Sequence, residues 1–137
     1  MGYAIHEISS SFGLSQVHRA AALAAIKNLA GKETCSCEGQ MHFMWINDSA
    51  EFLNADALEV ALKVWRWKAY SSEEGRIEEL TFIGENLGDE DLLFAALAPY
   101  VDDGSSIVVA GEDGDVWRWY FSNGIVRRQK ATLVFEN

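Results

Sequence analysis

The sequence predicts an α+β domain: about three helices packed on a largely antiparallel sheet, built from αββ units and ending in a three-stranded meander. Three observations predict it. The dipeptides Asp113-Gly114 and Asn123-Gly124 bracket the aromatic run Val116–Phe121. Each accepts positive φ at two successive positions, so each suits a tight hairpin turn. Three segments carry apolar residues at i, i+3, i+4 and i+7: Ala22, Ala25, Ile26 and Leu29; Leu58, Ala61, Leu62 and Trp65; Leu93, Ala96, Leu97 and Tyr100. That spacing lines one face of a helix. Helices that alternate with pairs of strands, rather than single strands, favour antiparallel pairing.

Taken in order, residues 3–12 alternate weakly and suit a first edge strand. Ser15 is placed to cap a helix running to Gly31, where a left-handed terminal residue is wanted. Met41–Ile46 reads as a buried strand ended by Asn47-Asp48. Asn54 or Asp56 starts the second helix, and Trp65–Tyr70 leads from it into a strand. Ser71–Gly75 form a turn, and Ile77–Ile83 return with Leu80 and Phe82 facing the core. Asp89, Glu90 and Asp91 place negative charge at the start of the third helix, where the helix dipole favours it. Pro99 disturbs or ends that helix near its last turn. Ser105–Ala110 opens the meander, Val116–Phe121 is its middle strand, and the last strand runs from about Ile125 to Phe135 with Ala131, Leu133 and Phe135 inward.

The last members of the three stripes lie 36 and then 35 residues apart. Acidic turns with glycine follow the stripes, at Glu38-Gly39, Glu73-Glu74-Gly75 and Glu112-Asp113-Gly114. The second and third units match best, as Glu-[Glu/Asp]-Gly-x-[Ile/Val]-x-x-x-x-Phe ending at Phe82 and Phe121. The chain therefore reads as a single domain, 1–137, with possible αββ pseudo-repeats near 14–47, 54–83 and 89–135. Any amphipathic helix followed by a hairpin produces a similar pattern, so that alternative stays open.

A chain of 137 residues buries roughly two-thirds of its unfolded surface and needs no metal or disulfide staple. Cys35 and Cys37 are one residue apart, too constrained for an ordinary structural disulfide, and read as free thiols of a reducing compartment. No secretion signal and no apolar run of membrane-spanning length is visible, so the expected location is the cytoplasm. Twenty-one acidic residues against eleven basic ones give a formal charge of −10, and Glu51–Asp103 holds thirteen acids and four bases. Direct binding to nucleic acid needs a basic footprint and is not expected.

Cys35, Cys37 and His42 form the one soft-ligand cluster. Structural zinc sites use wider cysteine gaps and four ligands, so an incidental polar loop is favoured over a metal. No nucleophile elbow, zinc-protease, Walker or dinucleotide motif occurs. Glu112, Asp113 and Asp115 lack the spacing and closing glutamate of a calcium loop. Enzyme activity, a metal and a cofactor are accordingly not expected. The two Trp-Arg-Trp tripeptides, Trp65–Trp67 and Trp117–Trp119, suit either a stacking platform or core packing. Core packing with Arg66 and Arg118 on the open face is the favoured alternative.

Leu87-Gly88-Asp89-Glu90-Asp91-Leu92-Leu93-Phe94, Ala98-Pro99-Tyr100-Val101, and Gly111-Glu112-Asp113-Gly114 leading to Trp117-Arg118-Trp119 and Phe121 resemble a group of small uncharacterised bacterial and phage or prophage proteins. The resemblance covers roughly residues 55–136 and brings no assigned activity. It implies a mobile-element context, in which small acidic proteins are often anti-defence inhibitors or immunity proteins against toxins.

The expected function is thus non-enzymatic binding of a protein partner with a basic groove. Asp89, Glu90, Asp91, Asp102, Asp103, Glu112, Asp113 and Asp115 are the candidate partner-binding acids, all expected to be exposed, with Arg118 beside them. A small-ligand or peptide binder using a cleft with Trp117, Trp119 or Arg118, and a structural subunit that oligomerises through its final strand, are the alternatives.

Overall fold

The computed structural model describes residues 2–31 and 57–136. The expected strand Met41–Ile46, the second-helix start at Asn54 or Asp56, and Cys35, Cys37 and His42 lie outside the described residues. Strand β1 is Ile5–Ser11, followed by a 3₁₀ turn Gln16–His18, helix α1 (Arg19–Lys27) and a second 3₁₀ turn, Asn28–Gly31. Helix α2 (Leu58–Val64) leads into strands β2 (Trp67–Ser71) and β3 (Ile77–Phe82). Helix α3 (Glu90–Leu97) ends in a 3₁₀ turn, Ala98–Tyr100, that contains Pro99. Strands β4 (Ser106–Gly111), β5 (Val116–Ser122) and β6 (Ile125–Lys130) complete the chain.

The fold is α+β, with three helices packed against antiparallel strands that end in the β4-β5-β6 meander. Two sheets are present among the described residues: four strands in the order β1-β4-β5-β6, and the hairpin β2-β3. Stitches hold the hairpin to the larger sheet. Leu14 and Ile77 exchange backbone bonds of 3.0 and 2.9 Å, and Ile5 donates to Glu85 O at 3.0 Å. Between these points, side chains of β1 replace a ladder. The Glu7 carboxylate accepts from Phe82 N at 2.8 Å, and Ser10 Oγ accepts from Leu80 N at 3.4 Å. β3 thereby lies along the edge of β1 that β4 does not use.

Alternation on β5 sends Trp117, Trp119 and Phe121 inward and leaves Val116, Arg118 and Tyr120 on the other face. The core is a set of edge-to-face rings around Phe94. Its centroid lies 4.9 Å from Trp119, 5.3 Å from Trp67 and 5.8 Å from Phe121, at interplanar angles of 60°, 71° and 83°. Such contacts oppose ring edges to ring faces and add to the area each ring buries. The two helix–hairpin units meet there, and all four tryptophans of the two tripeptides are buried.

Trp65 closes α2 at the end of the expected helical stripe, Arg66 takes a left-handed φ of 71°, and β2 begins at Trp67. Two expectations are corrected. The final strand stops at Lys130, and Leu133 and Phe135 are exposed rather than inward. Its ladder partner explains this, since β5 begins at Val116, whose carbonyl accepts from Ala131 N, and nothing in β5 remains to pair further residues. The Asn123-Gly124 turn has the expected positive φ at both positions, 54° and 78°, whereas in the Asp113-Gly114 turn only Gly114 is positive, at 92°. The loop Gly111–Asp115 instead closes with Gly111 N to Asp115 O at 2.7 Å and Gly114 N to Gly111 O at 3.0 Å. Ser72–Arg76 closes the β2-β3 hairpin in the same way, at 2.8 and 3.0 Å with Gly75 at φ 86°. The matching Glu-[Glu/Asp]-Gly strings therefore build matching turns.

Candidate functional site

The β4-β5 turn carries three of the predicted acids. Its conformation is held by residues from the other end of the chain. Glu112 N donates to Ala4 O at 2.9 Å, and Ala4 N donates to Glu112 Oε1 at 2.6 Å. Asp113 accepts from Asp115 N at 3.1 Å, a local side-chain turn, and also accepts from the Tyr3 hydroxyl. Gly111 leaves the space that the Tyr3 ring fills, because a Cβ there would collide with the ring. The Tyr3 ring in turn lies 6.2 Å from that of Trp117. Donation to Asp113 pushes the Tyr3 hydroxyl pKa up to about 12, with desolvation and the charges of Asp113 and Asp115 adding to it. The same bond, with the Asp115 N–H, holds the Asp113 carboxyl below its ordinary range. Glu112, Asp113 and Asp115 are all exposed, and Asp115 lies 3.9 Å from Lys130.

The acids at the start of α3 behave differently from one another. Glu90 was expected to be exposed and is 1 % exposed. It turns inward because two donors need it: Gly88 N donates at 2.6 Å and the buried Trp67 indole N–H at 3.3 Å. Burial pushes its carboxyl pKa up, opposed by those hydrogen bonds. Asp91 is exposed but accepts from the Trp119 indole N–H at 2.7 Å and pairs with Arg128 at 3.3 Å. Asp89 is half-buried, and its carbonyl accepts from Leu92 N and Leu93 N.

Asp102 and Asp103 lie at the opposite end of β5. Asp102 pairs with Arg76 at 2.6 Å, a pair that stands over Gly13 where a side chain would otherwise be. Asp103 accepts from Asn123 N at 2.8 Å, bracing the β5-β6 turn. A seven-residue strand separates this end from the Gly111–Asp115 turn, roughly 20 Å. The structure therefore brings Glu112, Asp113 and Asp115 together, and places the other acids elsewhere. Arg118 is exposed on the open sheet face, stacked over Tyr120 at 4.8 Å and donating to Gln129 at 2.7 Å.

A groove of about 600 Å³ lies beside Arg118, lined by Val108, Val116, Trp117, Gln129 and Lys130 among others. Trp117, 5 % exposed, is therefore both a core residue and a wall of this groove. Two participants are absent from the sequence-predicted set. Tyr3 has no local signal, standing 110 positions from Asp113. Arg128, whose guanidinium lies 4.4 Å over Trp117 and 5.9 Å from Trp119, is legible from the turn: a two-residue Asn123-Gly124 hairpin sets Trp119 opposite Arg128.

Among the described residues no group of three or more His, Cys, Asp or Glu side chains is placed to hold a metal ion. No helix among them is long and apolar enough to cross a membrane. No family model, curated protein or solved structure matches this chain.

Proposed function

We propose that this chain is a non-enzymatic binding factor of the inhibitor type, such as a phage anti-defence or toxin-immunity protein, acting in the cytoplasm on a protein partner with a basic groove. Its docking element is the β4-β5 turn with Glu112, Asp113 and Asp115. One observation supports this reading above the rest: two of its three exposed carboxylates, Asp113 and Glu112, are pre-positioned by bonds to Tyr3 and Ala4, and the Asp115 N–H donates to Asp113. A held loop loses little freedom on binding, so more of its interaction energy appears as affinity. The overall charge of −10 adds long-range attraction for a basic surface, expressed mainly in the association rate and weakened by salt.

The test begins with affinity capture of a partner from a host lysate at low salt. Association of the captured protein is then followed for the native chain and for the D113N/D115N double variant, which keeps side-chain acceptors in place. A several-fold slower association at low salt, converging with the native rate at high salt, is the expected result. Equal rates at both salts would remove the turn from the interface.

A further inference from the structure

We propose that the edge of β6 that no other described strand pairs receives an extended acidic segment of a partner protein as an added strand. This surface adjoins the acidic turn at Asp115 and is opposite to it in charge. Residues 116–135 contain four basic side chains, Arg118, Arg127, Arg128 and Lys130, and no acidic one, in a chain of net charge −10. All four project from β5 and β6.

The backbone supports pairing at this edge. β6 is terminal in the four-stranded sheet, while the other terminal strand, β1, is flanked by β3. The bond from Ala131 N to Val116 O at 2.9 Å sets the phase of the β5-β6 ladder. Antiparallel alternation then directs the backbone groups of Val126, Arg128 and Lys130 away from β5. Among the described residues no backbone bond reaches them from that side. An unpaired edge of this kind is a template for another strand.

Charge selects the occupant. A second copy pairing antiparallel about the middle of β6 would set Arg127 against Arg127 or Arg128 against Arg128, and like charges directly opposite destabilise a pair. An acidic strand has the reverse effect. Arg128 and Lys130 point to the side of the sheet that carries Trp119 and Trp117, and Arg127 to the side of Tyr120. Acids at alternate positions of an incoming strand would meet Arg128 and Lys130 together. Between these two cations lies a cavity of about 150 Å³, also lined by Asp115, Val116 and Trp117, large enough for a carboxylate side chain. The Trp117 indole N–H is buried and has no hydrogen-bond acceptor among the described residues. Asp91 and Asp115 offset part of the positive charge at exposed distances of 3.3 and 3.9 Å, leaving Arg118 and Arg127 on the other side.

The test uses an eight-residue peptide with Glu alternating with Val or Thr, titrated into the full chain with the amide resonances of Val126, Arg128 and Lys130 and the Trp117 indole N–H resonance as readouts. Controls are a Lys-for-Glu peptide, the acidic peptide with prolines at every second Val or Thr, a single-stranded DNA of similar length, and anionic vesicles. Shifts and slowed exchange at the three amides with the acidic peptide alone, and an affinity loss of about tenfold in R128Q/K130Q, are expected. R127E, on the opposite face and away from Trp117, must also weaken binding if the double variant is poorly folded. Equal binding of the proline peptide, stronger binding of DNA or vesicles, or no shift at about 1 mM peptide overturns the proposal.

Discussion

The indole N–H of Trp119 donates to the Asp91 carboxylate at 2.7 Å, tying the middle strand of the meander to the first turn of α3. Arg128 approaches the other oxygen of the same carboxylate at 3.3 Å. Asp91 is thus a joint between sheet and helix. Removing it leaves a nearly buried indole donor without its partner. D91A is expected to lower stability by about 1–2 kcal/mol, the lower range for a hydrogen bond to a charged group because the carboxylate is partly exposed. D91N, which retains a carbonyl acceptor, should lose less than half as much. Urea denaturation of the two variants checks the order, and equal losses would assign the effect to charge instead.

Glu90 makes stability depend on pH in the direction opposite to most carboxylates. Its folded pKa is raised, chiefly by burial, so the folded chain holds this proton more tightly than the unfolded one. The contribution is fully present below the ordinary carboxylate pKa and is lost as pH rises through the folded value. E90Q stays neutral and keeps an acceptor for Trp67 or Gly88. The stability difference between the native chain and E90Q should therefore shift in favour of E90Q as pH rises from about 4 to 7. Thermal melts across that range measure it, and a difference that does not change with pH would place Glu90 outside the titrating set.

Tyr3 and Asp113 form a latch that works over a wide plateau of pH. The raised Tyr3 pKa makes its contribution complete below the ordinary tyrosine value and lost as pH rises through about 12. The lowered Asp113 pKa makes its contribution complete above the ordinary carboxylate value and lost as pH falls through the folded one. In an absorbance titration the native chain should show a late tyrosine that disappears in Y3F and moves toward the ordinary range in D113N. G111A should do the same, since its new Cβ displaces the Tyr3 ring. A late tyrosine that survives in Y3F would assign the signal to Tyr70, Tyr100 or Tyr120.

Local rules account for what was legible in the sequence. The stripe from Leu93 to Tyr100, the stop near Pro99 and the Asn123-Gly124 turn follow from periodicity, ring geometry and positive φ, each decided within a few residues. What escaped depends on distant partners. An acid in the first turn of a helix answers the dipole, so Glu90 looks like Asp91 until the Trp67 indole, 23 positions away, claims it. The apolar alternation Ala131, Leu133, Phe135 suits a strand, but a strand needs a partner, and β5 begins only at Val116, opposite Ala131. The Asp113-Gly114 turn is wider than a two-residue hairpin, and Asp113 accepts there from the Asp115 N–H and from the distant Tyr3 hydroxyl. The acids predicted as one surface were dispersed by the same cause: Asp91, Asp102 and Asp103 each met a donor from another element.

Arg66 shows how one backbone angle places two tryptophans. Trp65 ends α2 with φ −80°, Arg66 reverses to φ 71°, and Trp67 opens β2, with both rings fully buried. Arg66 N donates to Lys63 O at 2.8 Å and its carbonyl accepts from Ile83 N at 2.9 Å, which hold the reversal in place. A residue with a Cβ adopts this region at a cost of roughly 1–2 kcal/mol that glycine avoids. Comparing R66A with R66G isolates that cost, because both remove the side chain and its contacts. Glycine also gains freedom in the unfolded chain, which offsets part of the relief. R66G should be more stable than R66A by about 0.5–1 kcal/mol in urea denaturation. If R66A equals or exceeds R66G, the left-handed turn is not strained, and the burial of Trp65 and Trp67 alone suffices to hold it.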